Sequence, residues 1–326
     1  MRTILLCNWT RGNAREVARA CVAWACAAIR GGLAVAALLA AAPVGAQETV
    51  DFASLDADLT GGKPTAIEAK LFKPRGAGPF PAVVLLHGCN GIYRYPSRRP
   101  PRHHSADELT AHHVDWAERL QAAGYVVLLP DSFGPRGLTE ICKMKAPPVT
   151  AARGRARDAY GALLWLQAQP YVKSDRVALM GWSNGGGTVM RAIEAKSGAR
   201  PRRLPKGDFR AAIAFYPGCV NPKRTTEGRN WRTRIPLMIL FGADDDWAPF
   251  EACRNLAEAA AKRREPVEFV AYPGAYHAFD APDMPVRLVH GLARAPTGTA
   301  HVGTNPAARA DAVKRVPEFL RAQLER

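Results

Sequence analysis

Ser183 stands in the run Gly181-Trp182-Ser183-Asn184-Gly185-Gly186-Gly187, between an apolar stretch at residues 177–180 and a helical pattern. A serine on a tight strand-to-helix turn has its hydroxyl raised above the sheet, and its neighbours must be small because side chains would collide with adjoining strands. The turn also sets the hydroxyl at a helix N-terminus, where free N–H groups and the helix dipole favour developing negative charge. The chemistry this allows is nucleophilic acyl transfer. A serine hydroxyl alone is a weak nucleophile, so the reading requires a histidine to take its proton and a carboxylate to orient that histidine.

Both follow downstream, in the order Ser, Asp, His. The stretch Phe241-Gly242-Ala243-Asp244-Asp245-Asp246-Trp247-Ala248-Pro249 follows one apolar strand pattern, and Tyr272-Pro273-Gly274-Ala275-Tyr276-His277-Ala278-Phe279 follows the last. Adjacent carboxylates repel, and only one can face the ring. Asp245, four residues before Pro249, is the choice as orienting acid, with Asp244 and Asp246 as alternatives whose plain role is helix capping. His277 is the candidate general base. His103, His104, His112 and His113 lie in or beside a polar loop, and no Asp, Glu or Cys spacing completes a metal set around them. A tetrahedral intermediate needs two donors for its oxyanion. The backbone N–H of Asn184 is the first, and the N–H of Cys89, in the turn Leu85-Leu86-His87-Gly88-Cys89-Asn90-Gly91, is the second.

The elements that must carry these residues alternate. Strand patterns occupy residues 67–72, 82–86, 125–129, 177–180, 211–215, 237–241 and 267–271; helical patterns occupy 111–123, 151–169, 185–196, 252–263 and 307–324. Several strands are unbroken apolar runs, the mark of strands covered on both faces, and alternation of strands with helices predicts a parallel sheet. No composition break divides residues 47–326, so one domain is expected. The long loops at 91–105, 218–234 and 281–306 follow strands at one edge of that sheet and are candidate pocket walls.

Residues 31–42 are uniformly small and apolar, with Arg30 before them and Pro43-Val44-Gly45-Ala46 after them. This is the pattern of a secretory signal, too short to span a bilayer core of about 30 Å. Residues 1–46 are therefore expected to be cleaved, giving a mature chain that starts at Gln47, exported to the periplasm or secreted, with no stable membrane insertion. Cleavage removes Cys7, Cys21 and Cys26 from a total of seven cysteines and leaves Cys89, Cys142, Cys219 and Cys253. An even count in an oxidising compartment suggests two disulfides, for which three pairings exist. Five arginines and one glutamate leave with the signal, so the net charge falls from +16 to +12. The densest basic groups, at residues 98–102 and 200–203, sit in Pro-rich loops without interleaved aromatics. That pattern fits a solvated surface, and no nucleic-acid partner is expected.

The serine turn, the turn at residues 87–91, the segment Ala123-Gly124-Tyr125-Val126-Val127-Leu128-Leu129-Pro130-Asp131-Ser132-Phe133 and the stretch around His277 together resemble the dienelactone hydrolase family over about residues 50–325. The resemblance implies the α/β-hydrolase fold, a mostly parallel central sheet with helices on both faces. It also implies Ser183, Asp245 and His277 as the triad, and the amides of Cys89 and Asn184 as the oxyanion donors. Pairing of Cys89 with Cys142 and of Cys219 with Cys253 is implied as well. The founding members use a cysteine nucleophile and carry a glutamate where this chain has Gly88, so activation here falls to His277 alone. The expected activity is hydrolysis of a small-molecule carboxylic ester or lactone with no metal or organic cofactor. A peptidase or amidase of the same fold, and a non-catalytic envelope binding protein, are the alternatives.

Overall fold

The computed structural model describes residues 47–94, 109–220 and 222–325. The expected signal segment, the basic group at residues 98–102, His103 and His104, and most of the loop at 91–105 lie outside the described residues.

Eight strands form one sheet in the order β1-β2-β4-β3-β5-β6-β7-β8. They are β1 Gln47–Ala53, β2 Ala66–Phe72, β3 Phe80–Leu86, β4 Val126–Pro130, β5 Val172–Trp182, β6 Ala211–Phe215, β7 Leu237–Gly242 and β8 Val267–Tyr272. β2 pairs antiparallel with both β1 and β4, and every other pairing is parallel, so β2 alone runs against the rest. The strands β4, β6 and β7 are buried at every residue. Such strands must be covered on both faces.

The covering helices are α1 Ala111–Ala122, α2 Arg155–Gln167, α3 Asn184–Ala192, the short α4 Thr226–Asn230, α5 Phe250–Lys262 and α6 Pro306–Leu324. Right-handed crossovers put α1, which leads from β3 outward to β4, on the opposite face from α2, α3 and α5, which lead the other way along the sheet. α6 returns to the α1 face, where Arg309 donates to Asp115 of α1 at 2.8 Å. This confirms the layered, mostly parallel architecture.

The chain order reverses between β3 and β5: the chain leaves β3 toward β4 and comes back across it to β5. In open α/β sheets the crevice outside the carboxyl ends of the strands at such a reversal is where ligands bind. The turn at residues 87–91 and Ser183 both lie there, because each directly follows one of these two strands.

The structure adds elements to the sequence reading. β1 is a further edge strand, and β5 begins at Val172, five residues before the apolar run. The loop at 281–306 contains a two-stranded ribbon, β9 Arg287–His290 with β10 Thr299–Val302, and the loop at 218–234 contains α4. Arg202 and Arg203 are exposed, as expected of a solvated basic loop.

Candidate active site

Ser183 is the N-cap of α3 with φ 52° and ψ −113°, a backbone conformation that non-glycine residues rarely adopt. The turn is held by Ser183 N–H donating to Phe215 O at 2.9 Å and Gly187 N–H donating to Ser183 O at 2.8 Å. Its tightness explains the glycines: a Cβ on Gly185 would stand 1.9 Å from the carbonyl oxygen of Leu86. No side chain fits between α3 and β3 at that point.

Asp245 follows β7 and His277 follows β8, and they meet: His277 Nδ1 lies 2.7 Å from Asp245 Oδ2. Asp245 is itself held, because its Oδ1 accepts from the N–H groups of Trp247 at 2.9 Å and Ala248 at 2.8 Å. Asp246 turns outward and grips His301 through two hydrogen bonds of 2.8 Å. Of the three adjacent carboxylates, Asp245 is the one bonded to His277. The imidazole is packed against two aromatic rings, with its centroid 4.4 Å from that of Tyr216 and 4.6 Å from that of Trp247. Its backbone is fixed by Gly303 N–H donating to His277 O at 3.0 Å, next to β10. Asn305, the N-cap of α6, donates to Gly274 O at 3.0 Å and so ties the start of the same loop.

His277 Nε2 is buried and makes no hydrogen bond, so the ring is fastened on its carboxylate side and not to the Ser183 hydroxyl. Ser183 and His277 line one cavity of about 480 Å³. Apo sites commonly show long or unmade contacts of this kind. Cys89 and Asn184 line the same cavity, so the residues named as oxyanion donors flank the serine.

The walls come from two of the three long loops, through Cys219, Val220, Glu227 and Trp231 in one and Arg294 in another. The segment at 141–152 is a wall that the sequence reading did not anticipate; Ile141, Cys142 and Thr150 face the cavity. It is tethered by the Cys89–Cys142 disulfide and by Ile141 N–H donating to Cys89 O at 2.8 Å. The second disulfide, Cys219–Cys253, joins the loop after β6 to α5. Both bonds have the implied partners.

Residues 67–324 match the dienelactone hydrolase family. The chain belongs to that family. A Methylorubrum extorquens protein assigned as a carboxymethylenebutenolidase is 24% identical over 267 residues, covering 76% of this chain and 81% of that protein. Two solved structures share the fold. One, a Klebsiella pneumoniae protein described as a dienelactone hydrolase, superposes with TM-score 0.56 at 18% identity, over 85% of this chain and 99% of that one. The other, Thermogutta terrifontis esterase 2 phosphorylated by paraoxon, gives 0.55 at 20%, over 85% and 94%.

In this dienelactone hydrolase family member a buried carboxylate that the sequence reading did not single out also lies near the site. Asp280 is fully buried and accepts four side-chain hydrogen bonds, from His112 Nε2, Trp116 Nε1 and Trp182 Nε1 at 2.8 Å and from Tyr216 OH at 2.7 Å. Tyr216, with φ 35°, thus connects Asp280 to the face of His277.

Two buried histidines beside the site stay neutral. Burial first, and then the nearby Arg155, hold His87 well below 6.5; burial, and then His112, push His113 to about 3. The unfolded chain protonates both near pH 6.5, whereas the folded chain does not, so stability falls as pH drops below that value. Between pH 6 and pH 5 the two together cost about 2 kcal/mol of unfolding free energy. Urea denaturation at both pH values measures it, and a loss below about 0.5 kcal/mol contradicts the neutral assignment.

Proposed function

We propose that this chain is an exported serine hydrolase that cleaves a carboxylic ester or lactone through an acyl-enzyme. One observation carries the reading: an imidazole tied by Nδ1 to a buried carboxylate, with its Nε2 unbonded beside the cavity that the serine turn lines. Family membership supports it, as do the esterase named among the solved relatives and the assigned activity of the Methylorubrum extorquens relative.

In the proposed mechanism the Ser183 hydroxyl donates to Nε2 across the cavity that both residues line. His277 takes the proton as Oγ attacks the carbonyl carbon, and the carbonyl electron pair moves onto oxygen. The N–H groups of Asn184, at the first position of α3, and Cys89, in the turn after β3, stabilise that oxyanion. Collapse expels the alcohol, which takes its proton from His277. Water then attacks the acyl-enzyme, His277 accepts its proton, and Ser183 recovers that proton as the acid leaves. Asp245 accepts from Nδ1–H throughout and so keeps the second proton on that nitrogen.

The cavity volume, with the apolar walls formed by Met190, Trp231 and Leu256, suits short acyl chains. The expected result with p-nitrophenyl esters is rapid cleavage from acetate to about octanoate and little of palmitate, with aminoacyl anilides inert. Anilides cleaved as fast as esters would replace the esterase reading with an amidase one. A fluorophosphonate probe should label Ser183 stoichiometrically. Folded protein that stays unlabelled would remove the enzyme reading and leave a binding protein on this fold.

Export rests on the pattern at residues 30–46 and is supported by the two disulfides, which persist in oxidising compartments. N-terminal sequencing of protein recovered from an exporting host should begin at Gln47. Recovery of the uncleaved chain in the cytosol would overturn this part.

A further inference from the structure

Arg155, the first residue of α2, is fully buried, yet its guanidinium is engaged with two neutral amide oxygens and not with a carboxylate. Nη1 donates to the side-chain Oδ1 of Asn184, and Nη2 donates to the backbone oxygen of His87 at 2.7 Å. The group lies over the ring of Phe133, 5.1 Å from its centroid. Burying a cation without a bonded anion is costly, so a neutral side chain of similar shape would make a more stable core. What the cation does instead is join the two segments that carry the amides of Asn184 and Cys89.

The turn after β3 is oriented from behind by a second group. Ser132 N–H donates to His87 Nε2 at 3.2 Å, so the ring proton of this neutral histidine is on Nδ1. Nδ1–H then donates to Gly88 O at 2.7 Å. That oxygen belongs to the same peptide group as the N–H of Cys89. In a trans peptide the carbonyl and the N–H point to opposite sides, so fixing the one toward His87 turns the other away from the ring. A carbonyl that accepts a hydrogen bond also makes its own N–H a stronger donor. On the other segment, Asn184 is the first residue of α3, where the N–H has no partner inside the helix.

We propose that Arg155 is a positioning residue for the oxyanion hole: it clamps the turn after β3 to the first turn of α3, sets the spacing of the two amides, and adds a fixed positive charge behind them. The proposal rests on the reading of those amides given above. Burial lowers the guanidinium to about 10, so it stays charged at neutral pH.

Because the clamp acts on a charge that exists only in the tetrahedral state, its loss should lower kcat and spare KM. For Arg155→Met acting on p-nitrophenyl butyrate, kcat is expected to fall about 100-fold with KM within about threefold, the size seen when one oxyanion donor is lost. The inhibition constant of a trifluoromethyl ketone, which forms a tetrahedral oxyanion on the serine, should rise by the same factor. Arg155→Lys should recover part of both losses. Asn184→Ala keeps the backbone amide, releases one arm of the clamp at a half-buried position, and should cost about 10-fold in kcat. Unchanged kcat and ketone affinity in folded Arg155→Met overturns the proposal, as does a rise in KM alone. If Arg155→Met does not fold, Asn184→Ala decides in the same way, its full activity and ketone affinity overturning the clamp. A wild-type protein that neither turns over esters nor takes the fluorophosphonate label would instead defeat the hydrolase reading, so the two failures are separable.

Discussion

Ser183→Ala should abolish ester turnover: kcat for p-nitrophenyl butyrate falls by about 10⁵-fold or more, the scale of losing the nucleophile of a triad. The reason is chemical and local. On the proposed mechanism, removing Oγ leaves His277, Asp245 and the two amides in place but no atom to form the acyl-enzyme, and what persists is binding and oxyanion stabilisation alone. The fold should not register the change. Ser183 already pays for its φ of 52° with a Cβ, and alanine keeps that Cβ and the same backbone hydrogen bonds to Phe215 and Gly187. The melting temperature is therefore expected to stay within about 2 °C, which the general modesty of substitutions outside the core also supports. A folded variant retaining more than about 1% of wild-type kcat would transfer the nucleophile's role elsewhere.

The proposed triad could be picked out because each of its residues sits in a short, glycine-marked turn directly after an apolar strand, so local sequence carried both its type and its place in the sheet. The choice of Asp245 over its neighbours could be argued but not decided by pattern. In space Asp245 is the one of the three that meets His277, while the N–H groups of Trp247 and Ala248 close on its other oxygen. β1 escaped notice because Gln47–Ala53 is an edge strand of mostly polar residues in which only Val50 and Phe52 turn to the core, an alternation too short to stand out as a period. The β9–β10 ribbon was hidden for the same reason, its first strand being exposed at three of four positions. Arg155 looked like any polar residue inside the helical pattern at 151–169, and only the structure makes it the first residue of α2. Asp280 was beyond local reach altogether: its four donors lie 64 to 168 residues away in sequence, on α1, at the end of β5 and after β6. A lone aspartate in the run Ala278-Phe279-Asp280-Ala281, with no turn residue beside it, was the one available hint.

Asp280→Ala should be the most destabilising single substitution near the site, by about 4 kcal/mol or more. Burial opposes ionisation of this carboxyl, but the adjacent His112 and the hydrogen bonds from His112, Tyr216 and Trp116 outweigh it and hold the group below the ordinary carboxylate range. An alanine leaves two indole N–H groups and a tyrosine hydroxyl buried without an acceptor, and each orphaned group costs about 1–3 kcal/mol. Asp280→Asn is the informative companion. Its amide oxygen can still accept from Tyr216, but its NH₂ would then face the three donors now bonded to Oδ2. Asparagine should therefore rescue little of the stability, which urea denaturation at pH 7 measures directly. Activity should suffer in both variants beyond what unfolding explains, because Trp182 immediately precedes Ser183, the proposed nucleophile, and Tyr216 backs the imidazole of His277. A loss below about 1 kcal/mol in Asp280→Ala would mean that the four donors find other partners, and that one carboxylate does not hold Trp182 and Tyr216 beside the candidate site.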